Sequence, residues 1–176
     1  TFRKIPPLGS ILLGKIVPKE GGDTLFASLS AAFEGLPNDM KNSLKDMQAV
    51  HSFEYGFKES LEEPYGREKL KQALIDNPPV EHPVIRTHPV TGKRLIYVNS
   101  LFTSKINTLN DSESRELLSF LCEHIRKEEY QCRFRWKTNS IAFWDNRSVI
   151  HKPDNTYWPQ LRRMERITID DTESPY

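Results

Sequence analysis

Cysteine is scarce in this chain: its 176 residues hold two, Cys122 and Cys132. Two thiols build no disulfide framework, and their spacing matches no metal motif. No apolar run approaches the roughly 20 residues that a membrane span needs, and the first residues carry no secretory pattern. Charge of one sign is equally lacking. Lys and Arg number 25 against 24 Asp and Glu, a formal +1. The basic residues are dispersed, which leaves no electrostatic footprint for nucleic acid or for an anionic membrane. No internal repeat or low-complexity segment divides the chain. What remains is one domain, long enough for a real hydrophobic core and expected in a reducing cytoplasm. Assembly into a homo-oligomer is left open. The opening stretch TFRKIPPLGSILLGKIVP has no starting Met and runs directly into turn and strand material, so further sequence is expected ahead of Thr1.

The patterning that is present changes character along the chain. Pro6, Pro7 and Gly9 mark a turn feeding a strand over 10–17. After Gly21 and Gly22, the stretch DTLFASLSAAFEGLP places Leu25, Leu29, Ala32, Phe33 and Leu36 at helical spacing, with Asp23 or Thr24 as the cap. A second helix carries Met40, Leu44 and Met47 on one face. Residues 51–66 read as an aromatic-rich loop of the kind that lids a site, and a short charged helix follows near 67–76. HPVIRTH and RLIYVN, joined by the turn PVTGK, predict a hairpin. Residues 111–127 predict a helix opened by Asp111, with Leu117, Leu118, Leu121 and Ile125 inward and His124 on its charged side. The final third is β: YQCRFRW alternates, and the strands IAFW, SVIH and RRMERITI follow between turns. Short, turn-separated strands argue for an antiparallel sandwich or barrel, with the helices of the first two thirds on its outside.

Two features of that β region bear chemistry. In RRMERITI, Arg162, Met164, Arg166 and Thr168 share one face, and Arg163, Glu165, Ile167 and Ile169 the other. Arg162 and Arg166 are about 13 Å apart along the strand, at about 3.3 Å per residue. Facing into a barrel, the two guanidinium groups need anions, and their planar fork suits carboxylates, sulfonates or phosphates. The reverse arrangement, with the arginines solvated and Ile167 and Ile169 in the core, fits the same alternation. His151, closing SVIH, raises a similar choice between a satisfied polar residue and a metal ligand. Two histidines and one carboxylate would suit Fe(II) with open positions for oxygen chemistry. The other histidines are His51, His82, His88 and His124. His82 and His88 each precede a proline and can serve as turn residues. None stands in a tight H-x-D, so on the residues alone the metal set is incomplete.

The segments GGDTLFAS, HPVIRTHPVTGK, NSLFTSKI, IAFWDNRSVIH and RRMERITI resemble the Fe(II)- and 2-oxoglutarate-dependent taurine dioxygenase family, which includes alkylsulfatases and related sulfonate oxygenases. The likeness runs over nearly the whole chain, in the family's order and at close to its spacing. It implies a mainly β fold with helical insertions (α+β), a double-stranded β-helix or jelly-roll barrel. It implies one dioxygenase domain over 1–176, whose first iron-binding His and Asp come from an H-T-D-x-T-F segment. This sequence opens on the last two letters of that segment, which puts both ligands just before Thr1.

Carried over by position, the resemblance makes His151 the remaining iron ligand. It places Thr24 and Arg162 on the distal carboxylate of 2-oxoglutarate, and Arg166 on a substrate sulfonate. Phe57 and Phe102 line the substrate's carbon chain, while Trp144, Asp145 and Asn146 form a structural turn. No catalytic residue beyond the metal site is implied. The implied reaction is hydroxylation of a small sulfonate such as taurine by dioxygen, releasing sulfite and an aldehyde, with succinate and CO2 as co-products. Two alternatives remain. One is the same chemistry on an alkyl sulfate or an aryloxyalkanoate, since the fork of Arg166 accepts any such acid. The other is a metal-free jelly-roll binding module.

Overall fold

Alternating side chains along short strands, with one helix long enough to carry a full amphipathic face, set the layering of this chain. The computed structural model describes residues 1–176. It runs β1 (Gly9–Ile16), β2 (Thr24–Ser28), α1 (Leu29–Glu34), α2 (Asn38–Leu44), β3 (Gln48–His51), α3 (Phe53–Gly56), α4 (Lys58–Glu62), α5 (Gly66–Lys69) and α6 (Lys71–Asp76). There follow β4 (Val80–Pro83), β5 (Ile85–Thr87), β6 (Arg94–Ile96), β7 (Thr103–Ile106), α7 (Asp111–Ile125), β8 (Gln131–Phe134), β9 (Ile141–Asp145), β10 (Val149–Pro153) and β11 (Arg163–Ile169).

All pairings are antiparallel. One sheet has the order β11–β1–β9, with Leu12 opposite both Arg166 and Ala142, and Ser10 opposite Thr168 and Trp144. A second has the order β10–β2–β8, with Phe26 opposite His151 and Cys132, and Thr24 opposite Pro153 and Phe134. The two pack together through Leu12, Ala142, Trp144 and Met164 on one side and Phe26, Phe134 and Val149 on the other, around the buried Trp136. The far face of the first sheet is apolar as well: Ile11, Phe143 and Ile167 lie in register, and Phe143 and Ile167 are 63% and 67% exposed. A third sheet, β4–β3–β7, and the ribbon β5–β6 close over α1 and α7. Phe33, Leu44, Leu95, Ile106, Leu121 and Ile125 are buried there, each contributing about 1.5–3 kcal/mol. No helix is long and apolar enough to cross a membrane.

The structure departs from the sequence expectations at several points, each for a local reason. The helix expected from Asp23 or Thr24 begins only at Leu29. Residues Thr24–Ser28 pair with a strand on both sides, and those ladder bonds override helical spacing. Ser28 Oγ then caps α1, accepting from the Ala31 amide at 3.2 Å. The cap of α7 is Asn110, not Asp111. Its side chain accepts from the Ser112 and Glu113 amides at 3.0 Å each, and Glu113 returns a carboxylate to the Asn110 amide at 3.2 Å, a capping box. His124 is not on a charged face but is 4% exposed, and its Nε2 donates to the Ala32 carbonyl at 2.8 Å, pinning α7 to α1. The stretch 51–66 is no loop. His51 ends β3, and α3 and α4 follow, with Ser52 capping the first of them. The charged stretch 67–76 is split into two short helices, α5 and α6.

Candidate functional site

The chain enters β2 through Gly21 and Gly22, both left-handed at φ 72° and 74°, a conformation that glycine adopts without penalty. Gly22 also gives Arg162 room, since a Cβ there would sit 3.2 Å from Arg162 Cδ. Arg162 Nε donates to the Gly22 carbonyl at 3.1 Å, and its guanidinium lies over the Tyr157 ring at 5.7 Å. That leaves Nη2 buried without a partner. An unpaired buried donor costs about 1–3 kcal/mol, more when charged, so this side chain is set up for an anion. Thr24 is 2% exposed, and its Oγ1 accepts from Trp136 Nε1 at 3.0 Å. Arg133 donates to both Asp23 and Asp154 at 3.3 Å, and the Asp154 amide donates to the Asp23 carbonyl at 2.8 Å. These bonds tie the start of β2 to the segment that leaves β10.

His151 stands opposite Phe26 on the inward face of the second sheet, its ring 4.8 Å from that of Trp144 and 6.0 Å from that of Phe26. Burial, and then the positive charge of Arg166, hold its pKa below the usual histidine value. The imidazole is therefore neutral at neutral pH, the form in which histidine donates a lone pair to a metal. Arg166 sits opposite Leu12, on the same face as Met164 and in one row with Ala142. The arginine-bearing face of β11 is thus the inner one, and Ile167 points outward. Beside this face runs the WDN turn. Trp144 Nε1 donates to Asn146 Oδ1 at 2.8 Å, and Asn146 Nδ2 donates to Ser10 Oγ at 3.1 Å. Asp145 accepts from Arg147 Nε at 2.9 Å and Nη2 at 2.8 Å, and from His88 Nε2 at 3.0 Å. Burial disfavours the Asp145 charge, but these hydrogen bonds outweigh it and hold the carboxyl below its ordinary range.

Phe57 and Phe102 belong to an aromatic cluster with Phe2 and Phe53. The centroids of Phe57 and Phe102 are 6.0 Å from each other, Phe57 stacks on Phe53 at 4.4 Å, and Phe102 packs on Phe2 at 4.8 Å. Neither ring touches that of His151. No three His, Cys, Asp or Glu side chains gather closely enough to hold a metal ion. Of the residues singled out in the sequence, His151 is the metal-ligand candidate on this face, which Cys132, the other neighbour of Phe26, shares.

The family model described as Taurine catabolism dioxygenase TauD, TfdA family matches residues 1–168. The chain belongs to this family. It is 36% identical over 172 residues to an alkylsulfatase of Acinetobacter baylyi, an alignment covering 96% of this chain and 54% of that protein. An alpha-ketoglutarate-dependent sulfate ester dioxygenase of Pseudomonas putida is 32% identical over 173 residues, with coverage of 96% and 57%. The chain spans about half the length of these relatives. Among solved structures, AAD-2 in complex with Mn(II) and N-oxalylglycine matches with a TM-score of 0.87 at 32% identity, over 100% of this chain and 68% of that one.

Within this TauD-like chain, three residues that build the site escaped the sequence reading. Gly22 and Tyr157 hold Arg162 through a carbonyl and a ring face, and neither contact has a periodic signature. Trp136 did carry a signal. A buried indole N–H requires an acceptor, and Trp136 alternates with Arg133 and Arg135 toward the interior.

Proposed function

We propose that the protein is an Fe(II)- and 2-oxoglutarate-dependent dioxygenase that hydroxylates a small sulfonate such as taurine. The products are sulfite and an aldehyde, with succinate and CO2 formed from the co-substrate. The observation that carries this proposal is the buried, unpartnered Nη2 of Arg162, two residues by contact from Thr24 through the Gly22 carbonyl. Bound iron and 2-oxoglutarate would supply the activation of dioxygen that oxidises the substrate carbon. The chain's own residues bind and orient. Arg162 and Thr24 take the distal carboxylate of 2-oxoglutarate, the guanidinium with its fork and the threonine with its hydroxyl. His151 offers iron a neutral nitrogen. The other two protein ligands this chemistry needs, a histidine and a carboxylate, we assign to an H-x-D segment ahead of Thr1, within the same dioxygenase domain. Arg166 holds the anionic head of the substrate so that one carbon faces the metal, and Phe57 and Phe102 line the substrate's carbon chain.

The two facing sheets are the halves of a double-stranded β-helix in this reading. A cytoplasmic location would keep Cys122 and Cys132, both unpaired, as thiols. A homo-oligomer has a candidate contact in the apolar row of Ile11, Phe143 and Ile167, and sedimentation of the wild type against Phe143→Ser tests it.

The alkylsulfatase and sulfate ester dioxygenase relatives favour a second reading, the same chemistry on an alkyl sulfate. One experiment separates the substrate classes. Full-length protein with Fe(II), 2-oxoglutarate and dioxygen is given an alkanesulfonate, an alkyl sulfate or an aryloxyalkanoate, and sulfite, sulfate and succinate are measured. Sulfite formed in step with succinate supports the sulfonate assignment. Sulfate release moves the assignment to sulfate esters, and turnover of the aryloxy acid alone moves it to carboxylates. Absence of succinate with every substrate, together with no binding of Fe(II), would leave a metal-free binding module.

A further inference from the structure

We infer that Trp136 is a positioning residue that fixes the direction of the Thr24 hydroxyl; the inference rests on the proposed binding of 2-oxoglutarate. An indole N–H can only donate, and a threonine hydroxyl has one proton and two lone pairs. Trp136 Nε1 lies 3.0 Å from Thr24 Oγ1, so the hydroxyl oxygen is the acceptor and one of its lone pairs is occupied. The single hydroxyl proton must then point elsewhere. No side chain or carbonyl of the protein takes it, since the bond from Trp136 is the only one that Thr24 Oγ1 makes. Both partners are shut away from water, Trp136 at 6% exposed and Thr24 at 2%.

A second unspent donor is anchored to the same stretch of chain. Gly22, two residues before Thr24, accepts from Arg162 Nε and leaves Arg162 Nη2 buried and unpartnered. Two donors and no acceptor describe a socket for a group that only accepts, which a carboxylate does. Trp136 is what makes Thr24 a donor in this socket. Without the indole, the hydroxyl could rotate and present a lone pair to the incoming carboxylate, turning attraction into repulsion for part of the time. The indole is itself held. Its ring packs edge to face on Phe134 at 4.7 Å, and a Cβ on Gly14 would lie 3.3 Å from Trp136 Cε3, so β1 closes over it.

The test is a double-mutant cycle in the full-length protein, read as the dissociation constants of 2-oxoglutarate and N-oxalylglycine by calorimetry in the presence of Mn(II). Trp136→Phe keeps an aromatic ring and removes the N–H, and is expected to weaken both ligands roughly tenfold, the loss of about one hydrogen bond's worth of affinity. Thr24→Val is expected to weaken them at least as much. In the Thr24→Val background, Trp136→Phe should then add less than twofold, because its effect passes through the hydroxyl. Affinity for 2-oxopentanoate, which has no distal carboxylate, should be the same in the wild type and in Trp136→Phe. Additive losses in the cycle, or an equal loss for 2-oxopentanoate, would show a packing effect and overturn the inference. If the wild type binds neither dicarboxylate, the proposed function fails instead. Should Trp136→Phe not fold, the Trp136 indole 1H–15N resonance of the wild type serves in its place. It is expected to shift on saturation with 2-oxoglutarate, and a resonance that stays put would equally overturn the inference.

Discussion

At the scale of single residues, Arg162, immediately before β11, and Arg166, within it, are chemically alike and differ in surroundings. Arg162 is clamped by the Gly22 carbonyl and the Tyr157 ring, with one nitrogen buried, whereas Arg166 is exposed on the inner face. A clamped fork loses little freedom on binding, so it should be the more sensitive to shape. Arg162→Lys keeps the charge but removes the planar pair of donors, and is expected to weaken 2-oxoglutarate binding tenfold or more, about 1.4 kcal/mol. Arg166→Ala should leave 2-oxoglutarate affinity within twofold of the wild type and raise KM for the organic acid substrate. Calorimetry with 2-oxoglutarate and initial rates against substrate check both. An Arg162→Lys variant with unchanged affinity would remove this arginine from the co-substrate site.

At the scale of elements, much of the fold depends on ends and close approaches. Replacing Asn110 with Ala removes both amide acceptors of the capping box on α7, and should cost about 1 kcal/mol, seen as a lower urea midpoint with unchanged slope. Gly56→Ala would drive a methyl group into the Phe102 ring and to 2.9 Å from the Leu101 carbonyl oxygen. Backbone cannot yield as a side-chain tip does, so a loss of about 1–3 kcal/mol is expected, and any shift of Phe102 would raise KM for longer-chain substrates. These elements also mark where sequence patterns are informative and where they are silent. The alternation in β8 and β11 and the periodicity of α7 were legible in the sequence, because strand and helix repeats differ. Residues 24–28 were not, because Leu25 and Leu29 satisfy a helical period as well as a strand's, and only pairing with β8 and β10 decides. His124 was misplaced because a polar residue flanked by charges reads as solvated, and its acceptor, the Ala32 carbonyl, is 92 residues away. The arginine face could not be chosen from alternation, since both faces of β11 carry apolar residues. That double apolarity is itself real, as the exposed row through Ile167 shows.

At the scale of the whole molecule, the buried histidines make the fold sensitive to acid. His51 is fully buried between the third sheet and the chain's first residues, beside His82 and Tyr97 at ring distances of 5.1 and 5.9 Å. Its Nδ1 is shared between the Thr1 and Thr103 hydroxyls at 2.9 and 3.3 Å, and its Nε2 has no partner. Burial, and then the neighbouring His82, push its pKa down to about 3. Burial also lowers that of His82. An imidazole whose folded value lies below its ordinary one near 6.5 takes up a proton more readily in the unfolded chain. Its contribution is therefore complete above pH 6.5 and drains away as the pH falls toward 3, at a limiting slope of about 1.4 kcal/mol per pH unit for one such group. The melting temperature should hold steady from pH 8 to 7 and fall steeply between pH 6 and 4. His51→Gln, which cannot take up a proton, should be less stable than the wild type at pH 7.5 yet lose less on going to pH 4.5. Parallel melting curves for the two proteins across that range would mean that His51 protonates as easily in the folded chain as in the unfolded one, and that the acid sensitivity arises in the carboxylates, such as the Asp145 pair with Arg147, whose folded value is depressed in the same sense but whose losses come at lower pH.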